Sequence, residues 1–174
     1  MKTAKRSISL IGFMGTGKTT IGHALAISLN REFLDTDSLI EERVGKPITR
    51  IFSEDGEAAF RELEAEVVKA VYRNRPTVIS LGGGALLNPS SSALVKDNSV
   101  VVLLSCSVET IISRTSSNKL RPLLNVGAED IEQRVTTLLA EREVMYTAAT
   151  DIEIDTDSLS VGEAVSEIIR RLDL

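Results

Sequence analysis

The chain has no tryptophan, one cysteine and one histidine among its 174 residues. A histidine-based triad and a His/Cys zinc site therefore lack their parts, and no internal disulfide can form. The lone cysteine, Cys106, follows the apolar run Leu103-Leu104 and reads as packing, not as a nucleophile. The lone histidine, His23, lies between Gly22 and Ala24 in a helical stretch and reads as packing or solvent-facing. No apolar run approaches the ~20 residues that cross a bilayer, and Met1 to Arg6 lead into the first strand without the apolar segment of a signal peptide. The expectation is a cytoplasmic protein with no membrane partner. Positive charge is also short: 20 Lys and Arg against 25 Asp and Glu leave a net charge of −5. That disfavours a nucleic-acid partner, so an anionic ligand would have to be met by a few cations gathered in one cleft.

What is present is concentrated in residues 7–20, Ser-Ile-Ser-Leu-Ile-Gly-Phe-Met-Gly-Thr-Gly-Lys-Thr-Thr. Gly12, Gly17, Lys18 and Thr19 match the phosphate-loop pattern GxxxxGK[ST], which carries meaning only between a strand and a helix. Ser7 to Ile11 suits a buried parallel strand, and Thr20 to Leu29 carries Ile21, Leu25 and Leu29 at helical spacing. Gly12, Gly15 and Gly17 let the backbone come close to a ligand, and successive N–H groups with the helix's positive end favour a di- or triphosphate. Lys18 is then expected at the β- and γ-phosphates and the Thr19 hydroxyl on Mg²⁺.

Further along, Glu32 to Leu34 reads as a second strand ending in Asp35-Thr36-Asp37, just past the carboxyl end of the strand, where residues of open α/β sheets face the ligand crevice. Helices are expected over Leu39 to Val44, stopped by Gly45 and Pro47, and over Gly56 to Tyr72, with a buried stripe of Phe60, Leu63, Val67 and Ala70 or Val71. Arg61, beside that stripe, suits an ordinary surface arginine pairing with Glu57 or Glu64. Thr77 to Leu81 is a third strand running into Gly82-Gly83-Gly84, which suits either a flexible loop or close approach of main chain to a partner. Ser99 to Leu104 is a central strand, and Ser107 caps a helix from Val108 to Arg114. The polar segment Thr115 to Pro122 fits a lid or a solvated loop. In the next helix, about Glu129 to Tyr146, Arg142 falls in phase with Val135 and Leu138, on the apolar face. A cation pointed inward needs a partner, either an anionic ligand or a local ion pair. Ile152 to Ile154 is the fifth strand, and Ser160 with Glu163 forms a capping box opening the last helix. Strands alternating with helices imply a three-layer α/β/α fold on a five-stranded parallel sheet.

In this order, Gly12 to Thr19, Leu34-Asp35-Thr36-Asp37, Asp55-Gly56-Glu57 with Phe60-Arg61, Leu81 to Ala85, Arg121-Pro122-Leu123-Leu124, and Arg142 with Tyr146 resemble the shikimate kinases. These are small members of the nucleoside monophosphate kinase-like P-loop enzymes. The resemblance implies sheet order 2-3-1-4-5 in a single domain over residues 1–174, with substrate-binding helices at about 38–72 and a lid at about 115–125. It implies transfer of the γ-phosphoryl of ATP to the 3-hydroxyl of shikimate, with Mg²⁺, in the route to chorismate and the aromatic amino acids. Arg61 and Arg142 would hold the shikimate carboxylate; Asp37, Gly82, Gly83 and Gly84 would face its hydroxyls; and Asp35 would reach Mg²⁺ through water beside Thr19. The nucleotide would be met by Gly12, Gly15, Thr16, Gly17, Lys18, Thr19 and Thr20, with Arg114 and Arg121 at its phosphates. Catalysis would rest on Lys18, Asp37 and Arg121. The loop after the fifth strand, Thr156 to Ser160, lacks the arginine or proline often found beside adenine in this family. A gluconate-type kinase on the same scaffold and a non-catalytic ATP-binding interaction module are the competing readings, and a monomer is the expected state.

Overall fold

The computed structural model describes residues 6–72, 75–115 and 131–173. The order of elements is β1 (Ser7–Ile11), α1 (Lys18–Ser28), β2 (Glu32–Asp35), α2 (Thr36–Val44), α3 (Ile48–Glu54), α4 (Gly56–Val71), β3 (Thr77–Ser80), a 3₁₀ turn (Ala85–Leu87), α5 (Pro89–Asn98), β4 (Ser99–Ser105), α6 (Val108–Thr115), α7 (Ile131–Ala149), β5 (Ile152–Asp155) and α8 (Val161–Arg171). The five strands are all parallel in the order β2-β3-β1-β4-β5, as the resemblance implied. β1 lies at the centre, with Ile8 opposite Val78 on one side and Val100 on the other.

Alternation along these strands divides the core into two layers, because successive side chains leave a strand on opposite faces. Ile8 and Leu10 join Leu25 of α1 and Ile168 of α8 on one face. Ile11, Ile79 and Val101 join Phe60, Val68 and Val95 of α4 and α5 on the other. A third, smaller cluster of Phe13, Ile111, Val135 and Leu138 lies between α6 and α7. It seats the phosphate loop from below by burying Phe13.

The structure departs from the sequence reading at several element boundaries, each for a local reason. α2 starts at Thr36 and not at Leu39, because Asp35 Oδ1 accepts from the N–H groups of Asp37 and Ser38 at 3.0 and 3.3 Å. Asp37 therefore sits in a helix's first turn. α3, which follows Pro47, and α5, which Asn88 caps with Pro89 in its first turn, were not expected. α5 is polar and without an apolar period, whereas α3 carries Ile48, Ile51 and Phe52 at helical spacing but over too short a run to mark a helix by itself. The capping box of Ser160 and Glu163 is present at α8, and Ser107 Oγ accepts from Thr110 N at 3.2 Å at the start of α6. In α4 the buried residues are Phe60, Glu64, Val67, Val68 and Val71, while Ala70 is exposed. His23 is exposed and stacks on Phe33, with ring centroids 4.2 Å apart.

Candidate active site

A cavity of about 610 Å³ opens at the carboxyl ends of β1, β2 and β3. At one end is the phosphate loop. Gly17 adopts φ 94°, a left-handed conformation that only glycine takes cheaply, and from there the chain turns directly into α1. No side chain caps α1, so the first-turn N–H groups of Lys18, Thr19 and Thr20 are left for an anion. Lys18 Nζ donates to the carbonyls of Gly12 and Phe13, both at 2.9 Å. Thr16 is buried, its hydroxyl donating to Phe13 O at 2.8 Å, and lies with Gly12 beneath the cavity surface. The Thr19 hydroxyl donates to Asp35 Oδ2 at 2.8 Å, which puts a hydroxyl and a carboxylate side by side at the mouth of the loop.

Two guanidiniums from separate helices line the same cavity. Arg142 of α7 is only 4% exposed, and its guanidinium carbon lies 5.2 Å from the centroid of the Phe13 ring. Its inward direction matches the helical phase read from the sequence. Arg61 of α4 lines the same cavity while donating to Glu64 Oε2 at 2.8 Å and Glu57 Oε1 at 3.0 Å. The two readings of Arg61 are thus not exclusive: it makes its local ion pairs and faces the cavity.

The triple glycine lies against both guanidiniums and Asp37, and its need is for space. A Cβ on Gly82 would lie 2.6 Å from Asp37 Oδ1 and 2.7 Å from Glu64 Oε1; one on Gly83 would lie 3.1 Å from Arg142 Nη1; one on Gly84 would strike the Arg61 guanidinium. Gly82 N donates to Thr36 Oγ1 at 2.9 Å and Gly83 O accepts from the Tyr146 hydroxyl at 2.7 Å, so the turn is pinned from both sides. Close approach, not flexibility, accounts for the glycines.

Asp37 lines the same cavity, close enough to Lys18 and Glu64 to feel both charges. The residue as a whole is only half-buried, yet its Oδ1 is enclosed and, among the described residues, has no hydrogen-bond partner. Burial, with the Asp35 carboxylate adding to it and Lys18 opposing it, pushes the Asp37 carboxyl up to about 6. Glu64, 3% exposed, was not singled out by sequence reasoning. Burial pushes its carboxyl up, against the pull of Arg61 and Arg142. Arg114 of α6 lines the cavity at the phosphate-loop end and donates to Gly15 O at 3.3 Å. Arg121 and the expected lid, beyond Thr115, lie outside the described residues.

The chain matches known proteins along nearly its whole length. The profile of the shikimate kinase family matches residues 14–173. The chain belongs to the shikimate kinase family. A shikimate kinase of Chlorobium chlorochromatii is 44% identical over 172 residues, covering 95% of this chain and 90% of that one. A second, from Pelotomaculum thermopropionicum, is 44% identical over 167 residues, covering 96% and 95%. Among solved structures, the shikimate kinase of Acinetobacter baumannii in complex with shikimate superposes with a TM-score of 0.93 at 35% identity, covering 98% of this chain and 94% of that one. A gluconokinase from Sinorhizobium meliloti reaches a TM-score of 0.62 at 19% identity, covering 97% and 92%, which shows a shared fold alone.

Proposed function

We propose that this protein transfers the γ-phosphoryl group of ATP to the 3-hydroxyl of shikimate, giving shikimate 3-phosphate and ADP, as a single-domain monomeric enzyme of the cytoplasm. The observation that carries the reading is one cavity lined by an anion cradle at Lys18, by the guanidiniums of Arg61 and Arg142, and by a carboxylate with an unpartnered oxygen, Asp37. The cradle suits a nucleotide tail, the guanidiniums suit a carboxylic acid, and Asp37 suits the hydroxyl that must meet the phosphoryl group. Among the described residues no helix is long and apolar enough to cross a membrane.

Phosphoryl transfer through a loose transition state asks the protein for alignment and charge stabilisation more than for covalent chemistry. Lys18 and the first-turn N–H groups of α1 bind the phosphates. Arg61 and Arg142 hold the carboxylate, which fixes the ring so that its hydroxyl lies at Asp37. Asp37 orients that hydroxyl and takes its proton as the bond to phosphorus forms; a proton affinity near 6 keeps the carboxylate ionised at neutral pH yet still basic. Thr19 and Asp35 suit Mg²⁺, a hard ion that takes oxygen ligands and keeps several waters. Among the described residues no group of three or more His, Cys, Asp or Glu could hold a metal ion. When bound, Mg²⁺ neutralises charge on the phosphates.

The test is an acceptor panel with coupled detection of ADP: shikimate, gluconate and no acceptor. Shikimate-dependent ADP release supports the proposal. Release with gluconate alone would reassign the protein to the other kinase class, and ATP binding without acceptor-dependent turnover would make it an interaction module. A second measurement concerns Arg61→Lys, which keeps the charge but loses the fork that spans Glu57, Glu64 and a ligand. The KM for shikimate should rise by roughly 10- to 100-fold, since a carboxylate loses a bidentate partner, while the KM for ATP changes little. Equal losses for both substrates would remove Arg61 from carboxylate binding.

A further inference from the structure

Thr156 directly follows β5 and is only 2% exposed. Its backbone N–H donates to Ser105 O at 2.8 Å, extending the β4–β5 pairing by one residue. Its hydroxyl lies 3.1 Å from that same carbonyl and 3.2 Å from Thr16 O in the phosphate loop. A hydroxyl has one proton to give. Ser105 O already receives the Thr156 N–H, so the proton contributes most on Thr16 O.

Arg114 completes the arrangement. Its Nη1 donates to the Thr156 hydroxyl at 3.2 Å and to Gly15 O at 3.3 Å, and its Nη2 donates to Thr156 O at 2.9 Å. A hydroxyl that accepts from a guanidinium is polarised into a better donor. Two consecutive loop carbonyls, those of Gly15 and Thr16, are thus held by donors from α6 and from the end of β5.

This has a consequence for the anion cradle, because the Thr16 carbonyl and the Gly17 N–H belong to one planar trans peptide and point to opposite sides. Thr16 is buried beneath the loop, whereas Gly17 lines the cavity. Fixing the carbonyl on Thr156 fixes the N–H toward the cavity. We propose that Thr156 is a positioning residue for nucleotide binding: its hydroxyl sets the Thr16–Gly17 peptide so that the Gly17 N–H meets a phosphate, and it docks Arg114 beside the same loop. The nucleotide is ATP or ADP on the functional reading above, on which this inference rests.

The test compares Thr156→Val, which keeps the shape and removes the hydroxyl, with Thr156→Ser, which restores it. Binding of ADP and of shikimate is measured by calorimetry on each full-length protein, with melting curves alongside. Thr156→Val should bind ADP roughly tenfold more weakly, the effect of one buried hydrogen bond with its orphaned carbonyl. Shikimate affinity should stay within about twofold, and Thr156→Ser should recover most of the ADP affinity. Unchanged ADP affinity in Thr156→Val would overturn the assignment, as would parallel loss of both ligands with a lowered melting temperature, the mark of a merely structural role. Should the valine variant fail to fold, Thr156→Ala against Thr156→Ser makes the same comparison. A wild-type protein that binds no ADP would sink the functional reading together with this inference, whereas normal wild-type binding with an unaffected valine variant sinks the inference alone.

Discussion

Replacing Lys18 with alanine should lower kcat on the order of a thousandfold or more while leaving the protein folded. The ammonium group is held at the bottom of the phosphate loop by the carbonyls of Gly12 and Phe13. Both contacts are to main-chain oxygens a short swing from any phosphate seated on the α1 terminus. Folding should survive, because Phe13 O keeps the Thr16 hydroxyl as a donor and Phe13 itself stays packed among Ile111, Val135 and Leu138. A second effect follows from the charge. Lys18 is the cation that restrains the Asp37 proton affinity, so its removal raises that carboxyl further. The acid limb of the pH–rate profile should therefore move to higher pH in whatever activity is left. The checks are steady-state rates across pH, with circular dichroism to confirm the fold. Turnover within tenfold of wild type would take Lys18 out of the mechanism.

The phosphate loop was legible because its chemistry is written in one continuous run: the residues from Gly12 to Thr19 need only a strand before and a helix after them. Arg142 was legible for a different reason. Its phase with Val135 and Leu138 placed a cation on a buried face, and the structure finds it there, 4% exposed. The same logic would have found Glu64, which falls in phase with Phe60, Val67, Val68 and Val71. An acidic residue in a buried stripe is as strong a signal as a basic one, and it went unread because Arg61 offered it a surface partner. Arg61 could not be settled from spacing, since its ion pairs are local but its neighbour across the cavity, Gly84, is more than twenty residues away in sequence. Thr156 left no trace at all. Its role depends on β4, β5, α6 and the phosphate loop converging, and a lone threonine after a strand has no pattern to announce it. The short helices α3 and α5 were hidden for a different reason: Ile48, Ile51 and Phe52 keep helical spacing over little more than one turn, and α5 is polar and shows no period.

Asp37→Asn should separate stability from activity in opposite directions. The carboxyl sits at about 6 in the folded protein, against an ordinary aspartate value of ~3.9 in an unfolded chain. A raised folded value means that the native state prefers the protonated form. Below pH ~4 both states hold the proton and there is no penalty; between pH ~4 and ~6 the unfolded chain releases it first, and the native state loses stability steadily; above that the penalty is constant. A shift of about two units sets its upper bound near 3 kcal/mol. Asparagine has the same shape and no charge to desolvate, and its amide can donate toward Glu64, whose Oε1 also borders Gly82. The variant should therefore melt at a higher temperature than wild type at pH 7.5 and converge with it near pH 4. Its kcat should fall by about 10²- to 10⁴-fold, because an amide takes no proton from the acceptor hydroxyl. The wild-type rate should drop as pH falls through about 6, and the residual rate of the variant should be flat across that range. Such a pairing is the expected result where the carboxylate whose burial costs stability is also the one proposed to take the proton. A variant no more stable than wild type at pH 7.5, or one retaining more than a tenth of its turnover, would show that Asp37 neither carries the strain nor handles the proton.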